Sequence, residues 1–318
     1  MFNFKIYQNE IFLKILEDVY QIEKVKVFED KHLDNITTFY MSKKKKGGIF
    51  NMPFNFYYSP YVTKENKSNF FTELKNFSIK NNSNLIIKSF IKYDELNYIS
   101  QNMNSILNVS RFNSYEDYFN SLRKNFRQNI RTSYNKLPKD FEFKIIDNFK
   151  ELESFYITLS ELYIDKHKMV FQPFSLYKKL FENGIAKFFI YKKDNKILSA
   201  IVIIEDENKV HYNWGITHSD YYKYSLNTLL VNEMIKHYFD KNIQYFDFGA
   251  TPNSDEKLLY FKSRWGCEHY KVYEYYTTKK PSEIDLNNSY KIARNIYSKF
   301  PKPFLRWLMP KIIPWLVQ

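Results

Sequence analysis

The stretch that decides the fold is Ile243-Gln-Tyr-Phe-Asp-Phe-Gly-Ala250, followed after a short polar loop by Leu259-Tyr-Phe-Lys-Ser-Arg-Trp-Gly-Cys267. The first part is an apolar, aromatic run closed by Gly249, and it predicts a buried strand that enters a sharp turn. The second part places Lys262 and Arg264 among aromatic residues. Cations and rings beside the C-terminal end of a strand suit an anionic ligand at the edge of an α/β sheet.

The residues before this stretch predict the rest of the sheet. Three β-rich runs, 186–192, 197–205 and 210–217, are separated by short polar turns, which is typical of an antiparallel meander. A helix over about 226–239 then leads to the strand 243–249. Because parallel neighbours need a crossover connection, this order predicts that the strands 210–217 and 243–249 run parallel. The helix start would offer free backbone N–H groups to a phosphate.

A basic helix is predicted over 114–136, with Ser114 as its N-cap and Asp117 in its first turn. Aromatic and aliphatic residues at the helical period form one buried stripe. A second stripe is basic and consists of Arg123, Lys124, Arg127 and Arg131. It is either a solvated face or a binding surface for phosphates.

Length and composition limit the function classes. The 318 residues suffice for two domains, and the net charge of +13 predicts attraction to anions, although surface lysines also account for it. The single cysteine, Cys267, excludes a disulfide framework within the chain, and the histidines lack metal-ligand spacing, so no metal is expected.

The two ends of the chain predict its location. The N-terminal residues lack the order of a signal peptide and no apolar run is long enough for a membrane span, so a cytoplasmic protein is expected. The tail, residues 279–318, combines Phe, Trp, Leu and Ile with four prolines and several cations. It either docks on the body of the protein or makes peripheral contact with a membrane surface.

Three segments in order resemble the FemAB-like acyltransferases of the GNAT fold. These are Asn51-Met-Pro-Phe-Asn-Phe-Tyr-Tyr-Ser-Pro60, the helix segment Tyr118–Arg131, and the FDFG…FKxRWG block of 246–266. The resemblance implies an α/β (α+β) fold of tandem GNAT-like domains, with mixed sheets flanked by helices. The expected divisions are an N-terminal GNAT-like domain at 1–110, an acyltransferase domain at 111–278 and the tail at 279–318.

The resemblance also implies roles for particular residues. Lys262 matches the family lysine that steadies negative charge on the donor. Asp247 either orients the acceptor amine, acts as the base, or forms a structural salt bridge with Arg264. The donor-binding loop corresponds to Tyr222, Lys223, Tyr224, Ser225, Leu226 and Asn227. The candidate substrate-binding residues are Lys124, Arg127, Arg131, His211, Asn213, Trp214 and Arg264, with a satisfied core histidine as the alternative for His211.

The expected reaction is the transfer of an acyl or aminoacyl group from an activated donor to an amino group. The expected co-substrate is acyl-CoA, such as acetyl-CoA, with aminoacyl-tRNA as the alternative because Ser225 stands where acetyltransferases carry glycines. The expected acceptor is anionic: a small molecule, a sugar nucleotide or a peptidoglycan precursor. The rival hypothesis is a non-catalytic nucleic-acid-binding protein that uses basic helices and exposed aromatic residues.

Overall fold

The computed structural model describes residues 5–26, 38–43, 48–52, 67–94, 96–167, 171–239, 241, 243–277 and 299–316. The helices are α1 (Glu10–Tyr20), α2 (Lys67–Lys80), α3 (Tyr115–Ser121), α4 (Lys124–Asn135), α5 (Phe149–Leu162), α6 (Phe174–Glu182), α7 (Leu226–Phe239), α8 (Glu256–Arg264) and α9 (Lys302–Leu316). The strands are β1 (Ile22–Lys26), β2 (Thr38–Ser42), β3 (Gly48–Phe50), β4 (Asn84–Ser89), β5 (Asn97–Asn108), β6 (Glu142–Ile145), β7 (Ala186–Lys193), β8 (Lys196–Asp206), β9 (Lys209–Thr217), β10 (Tyr245–Pro252) and β11 (Glu268–Tyr276).

The chain forms two compact units. The larger unit contains Met1–Asn9 and Asn104–His269, and the smaller unit contains Glu10–Met103 and Tyr270–Gln318. The domain boundaries taken from the sequence stay a prediction, since these units group the first residues with the larger unit and the tail with the smaller one. Each unit has a mixed sheet flanked by helices, as the sequence predicts.

The larger unit is built on the predicted meander. β6, β7, β8 and β9 pair antiparallel in chain order. The turns after β7 and β8 pass through Asp194 and Glu207, whose φ angles are 52° and 27°. Short polar side chains such as Asp tolerate this region, which favours such tight reversals. β8 is buried along nearly its whole length, so it lies at the centre of the sheet.

The predicted crossover is also confirmed. α7 connects β9 to β10, and the two strands run parallel, with Tyr245 opposite Lys209 and Asp247 opposite His211. The buried residues of α7 pack with strand residues of β7, β8 and β10 in one core cluster. Burial of these apolar side chains is the main source of the unit's stability. The crossover therefore fixes where the end of β10 lies relative to β9.

The predicted helix over 114–136 is wrong in one respect, because it is two helices. Ser114 caps α3 as expected, accepting the N–H of Asp117 at 3.1 Å. The helix then stops at Leu122, whose backbone is extended (φ −66°, ψ 152°) and whose side chain is buried. The guanidinium of Arg127 donates to the carbonyl oxygens of Asn120 and Leu122. These bonds satisfy carbonyl groups that the end of α3 leaves without helical partners.

The smaller unit has its own sheet and core. β1 and β2 pair antiparallel, as do β2 and β3, whereas β3 and β4 are parallel and β4 pairs antiparallel with β11. α2 contributes buried phenylalanines and a leucine to the core beneath this sheet. The motif segment 51–60 lies outside the described residues from Pro53 onwards, as does the tail up to 298. None of the helices in the described ranges has the length and apolar character needed to span a bilayer.

Arg127→Ala is expected to destabilise the larger unit by ~1 to 2 kcal/mol, because two backbone carbonyls lose a charged donor. Chemical denaturation followed by circular dichroism measures this loss. Arg131→Ala is the matched control: its guanidinium only stacks on Phe119, 5.5 Å from the ring centroid, and its loss is expected to cost less. Equal stability of the wild type and Arg127→Ala would contradict the capping role.

Candidate functional site

The candidate site lies where β9 and β10 separate. Their last register pair is Asp247 with His211, yet β9 continues to Thr217 and β10 to Pro252. In addition, β9 carries a bulge, since Ile203 opposes Tyr212 while Val202 opposes Trp214. A bulge bends its strand and increases the local twist. The register between the two strands therefore ends at this pair, although both strands continue beyond it.

Asp247 joins three strands at this point. Its Oδ1 accepts from Asn104 Nδ2 on β5 at 2.9 Å and from the N–H of Gly249 at 2.8 Å. Its Oδ2 accepts from His211 Nδ1 on β9 at 3.0 Å. Gly249, within β10, has a φ angle of +73°, a backbone conformation that favours glycine. Burial acts to raise the pKa of Asp247, but the bond and charge of His211, aided by Gly249 and Asn104, hold the pKa below its ordinary value.

His211 lies between two carboxylates. Its Nε2 is 3.6 Å from Asp206 Oδ2, opposite the bond to Asp247, and the side chain is buried. Burial acts to lower the pKa of His211, but the nearby carboxylate of Asp206, together with the hydrogen bond to Asp247 and its charge, outweighs it and raises the pKa above its ordinary value. The buried ring thus links β9 to Asp247 on β10.

Lys262 brings a cation to the same strand end. It extends from α8 and is only 5% exposed, with its ammonium donating to the carbonyl of Gly249 and to Oγ1 of Thr251, both at 2.7 Å. Burial lowers its pKa to about 8, against the opposing charge of Asp247. An ammonium has three N–H donors, so one remains beyond these two bonds. The predicted cation at the strand end is therefore held rigidly by backbone and hydroxyl oxygens.

The predicted donor loop forms a short 3₁₀ turn, Ser219–Tyr224, before α7. Ser225 follows with φ +55°, and its N–H bonds to the carbonyl of Tyr222. Leu226 is fully buried, and the side chain of Asn227 accepts from the Tyr212 hydroxyl at 3.2 Å. In this tight turn, backbone N–H groups that a glycine-rich loop would offer to a ligand are used in hydrogen bonds of the turn itself. The first N–H groups of α7, those of Leu226 and Asn227, have no partner within the helix.

Of the other three loop residues, Tyr222 and Lys223 are exposed, whereas Tyr224 packs edge-on against Phe141. Tyr222 is 45% exposed, and the Lys223 ammonium lies 5.1 Å from the ring centroid of Tyr224. Asn213 and Trp214, predicted to bind substrate, lie at the bulge of β9. Asn213 Nδ2 donates to the carbonyl of His211, and Trp214 packs edge-on against Tyr177.

A basic pocket of about 430 Å³ lies on the outer side of α8. We call it the basic pocket, and its lining residues are Arg123, Lys124, Asn125, Phe126, Asn129, Tyr260 and Arg264. The pocket holds three cations and no carboxylate. The Arg264 guanidinium stacks on Phe126, with its carbon 4.0 Å from the ring centroid. The N-terminus of α4 also borders the pocket. It has neither a side-chain N-cap nor an acidic residue in its first turn.

The structure thus groups only part of the predicted substrate-binding set. Lys124 and Arg264 meet in the basic pocket, whereas Arg127 caps α3 and Arg131 stacks on Phe119. The alternative salt bridge between Asp247 and Arg264 is wrong, because Asp247 pairs with His211 and Arg264 lies over Phe126.

Sequence reasoning missed several residues of the site. Asn104, Asp206 and Thr251 hold the buried charges, and no local motif marks them. Tyr260 could have been found, because Tyr260 and Arg264 are four residues apart and therefore share one face of α8, opposite Lys262.

Comparison with known proteins agrees with this geometry. Residues 124–271 match the family described as the acetyltransferase (GNAT) domain. This segment therefore resembles a GNAT acetyltransferase domain. This match agrees with the predicted GNAT fold and with the predicted class of N-acyltransferase. No curated protein sequence matches the chain significantly.

Solved structures share the fold of this acyltransferase at low sequence identity. FemX superposes with a TM-score of 0.56 at 12% identity, over 80% of this chain and 87% of its own. L-PGS from Bacillus licheniformis superposes with a TM-score of 0.57 at 11% identity, over 91% of this chain and 96% of its own. A conserved protein of unknown function from Bacteroides thetaiotaomicron gives 0.55 at 12% identity, over 84% and 89%.

Lys262 is expected to make the free energy of unfolding depend on pH in the alkaline range. Its pKa is about 8 in the folded chain and 10.5 for an ordinary lysine in the unfolded chain, so between these values the unfolded chain carries the proton and the folded chain does not. The contribution of Lys262 to stability therefore rises as the pH rises from 8 to 10.5, by up to ~3 kcal/mol, and is constant below pH 8.

Urea unfolding of the wild type and Lys262→Met across this range isolates the effect, because all other titrations occur in both proteins. The difference in unfolding free energy is expected to change between pH 8 and 10.5 in favour of the wild type. A difference independent of pH would contradict the buried, pKa-shifted lysine.

Proposed function

We propose that this chain moves an acyl or aminoacyl group from an activated donor to an amino group of an anionic cell-envelope precursor. The observation that carries the proposal is the Lys262 ammonium, fixed at the strand end where β9 and β10 part. A fixed cation in a site shielded from water stabilises charge that develops in a transition state far better than a mobile surface cation does.

In the proposed reaction, the lone pair of the acceptor amine attacks the carbonyl carbon of the donor. The new C–N bond forms, the carbonyl oxygen becomes negative in the tetrahedral intermediate, and the bond to the leaving group breaks. The leaving group departs as the thiol of coenzyme A or as the hydroxyl of tRNA, taking the proton that the amine loses. The remaining N–H of Lys262 is the donor that would face the negative oxygen.

Asp247 is better suited to positioning than to removing the amine proton. Its carboxylate already accepts from Asn104, Gly249 and His211, and its pKa lies below the ordinary value. A strong acid is a poor general base near neutral pH. In this proposal, Asp247 holds the turn at Gly249, and the Gly249 carbonyl in turn holds Lys262.

The donor loop favours aminoacyl-tRNA over acyl-CoA. The 3₁₀ turn uses its own N–H groups, which leaves the start of α7 as the anion site, with the N–H groups of Leu226 and Asn227. A diphosphate such as that of coenzyme A would meet these two N–H groups instead of the larger set that a glycine-rich loop offers. The exposed Tyr222 and the Lys223 side chain suit a nucleic-acid end, by stacking and by charge.

The basic pocket supports an anionic acceptor. Three cations, two Asn side chains and the open start of α4 converge in a volume that fits a small-molecule group. The neighbouring Tyr260 is 60% exposed and provides a flat ring. A phosphate of a sugar nucleotide, with a planar base beside it, is the chemical class that these groups would bind.

Transfer of a radiolabelled group from acetyl-CoA and from alanyl-, glycyl- and seryl-tRNA onto a peptidoglycan precursor tests the proposal. We expect transfer from a charged tRNA, and we expect Lys262→Met to lower turnover ~100-fold or more with little change in acceptor binding. Lys257→Met is the matched control, since Lys257 is an exposed lysine on the same helix. RNA binding without any transfer would support the non-catalytic rival instead.

Arg264→Met tests the basic pocket separately. We expect the KM for the acceptor to rise about tenfold or more while kcat changes little, because the cation acts in binding rather than in the chemical step. Arg131→Met is the control, as Arg131 is an exposed arginine stacked on a ring outside the pocket. An unchanged acceptor KM in Arg264→Met would remove the pocket from the proposal and leave the Lys262 result standing.

A further inference from the structure

Helix α9 in the smaller unit has two different faces. Leu305 and Ile313 are buried, and the Ser42 hydroxyl donates to the carbonyl of Pro314 at 3.0 Å, which fixes this face to the protein. This side follows the ordinary rule that an amphipathic helix packs its apolar stripe inward.

The other face of α9 is also apolar, and it is exposed. Phe300, Phe304, Trp307 and Trp315 have 42%, 38%, 55% and 53% of their surfaces accessible. The spacing of three and eight residues places Phe304, Trp307 and Trp315 along one side of the helix, and Phe300 lies just before the helix begins. We call these four residues the aromatic face. Clustered exposed aromatic side chains are rare on soluble proteins and mark an interaction surface.

Cations accompany the aromatic face. Residues 299–318 contain Lys299, Lys302, Arg306 and Lys311 and no acidic residue. The Lys311 ammonium lies 3.5 Å from the ring centroid of Trp307, and the rings of Phe304 and Trp307 are 5.6 Å apart. Trp and cations together are the composition of helices that lie in the headgroup region of a bilayer, where rings reach the acyl boundary and cations meet anionic lipids.

We propose that α9 docks the smaller unit on the surface of an anionic lipid bilayer through the aromatic face. The charge of the segment selects this partner, because a run of cations without any carboxylate is complementary to anionic headgroups. The helix lies along the surface, since only one of its faces is available for insertion. This proposal is independent of the acyl-transfer argument and applies to the chain with or without a donor.

Flotation of the purified full chain with lipid vesicles tests the proposal. We expect binding to vesicles of phosphatidylcholine with phosphatidylglycerol, weakened by high salt, and little binding to pure phosphatidylcholine. Trp307→Ser with Trp315→Ser is expected to lower vesicle partitioning at least tenfold. The control is Ile79→Ser, which removes a 70% exposed apolar side chain from α2 of the same unit.

Charge-reversal variants distinguish binding to anionic headgroups from nonspecific hydrophobic adsorption to the vesicles. Lys299→Glu with Lys311→Glu is expected to abolish the preference for anionic vesicles, whereas Lys75→Glu with Lys80→Glu on α2 is expected to reduce binding less. Two results would overturn the proposal. One is unchanged vesicle binding of the folded double Trp variant, and the other is a wild-type dimer, seen by sedimentation without lipid, that this variant loses.

Discussion

The carboxylate of Asp247 is the contact on which the rest of the candidate site depends. It accepts one bond from β5, one from β9 and one from the turn at Gly249, so it fixes three backbone segments at the point where β9 and β10 separate. The position of the Gly249 carbonyl then follows, and with it the position of the Lys262 ammonium. A mechanism based on Lys262 therefore requires this arrangement.

The buried charges of the site balance one another. The set contains two carboxyl groups, Asp206 and Asp247, and two basic groups, His211 and Lys262, and all four side chains are buried. Removing one member of such a set leaves another charge buried without a partner, which costs more than the pairing itself contributes. The arrangement is thus expected to hold its geometry tightly, as catalysis by a preorganised cation requires. The shifted pKa of Lys262 records the energy needed to keep that cation out of water.

Much of the fold could be predicted because local patterns specify it. The three strands before α7, the crossover helix and the parallel placement of β10 all follow from periodicity and from the length of the connection. The break between α3 and α4 could not be predicted, since it depends on Arg127 reaching back to carbonyls at Asn120 and Leu122. The apolar pattern of the sequence does not reveal the break, because a buried Leu122 also fits the buried stripe of one continuous helix.

The site was predicted less completely than the fold. Lys262 and Asp247 could be identified because both lie in the aromatic block around Gly249. Their partners Asn104, Asp206 and Thr251 come from separate segments, and only the tertiary structure brings them together. The same limit applies to the basic residues. The sequence shows that Arg127 and Arg264 are cations. The tertiary structure decides that Arg127 caps a helix and that Arg264 lines a pocket.

The most direct measurement is an NMR titration of the Lys262 ammonium, with lysine side chains isotopically labelled and the signal assigned from Lys262→Met. The account predicts a pKa of about 8 in the free protein. It also predicts a higher pKa when a phosphonate donor analogue places a negative oxygen where the tetrahedral intermediate would form. A pKa near 10.5 that is unchanged by the analogue would contradict the central claim that Lys262 is a buried cation positioned for acyl transfer.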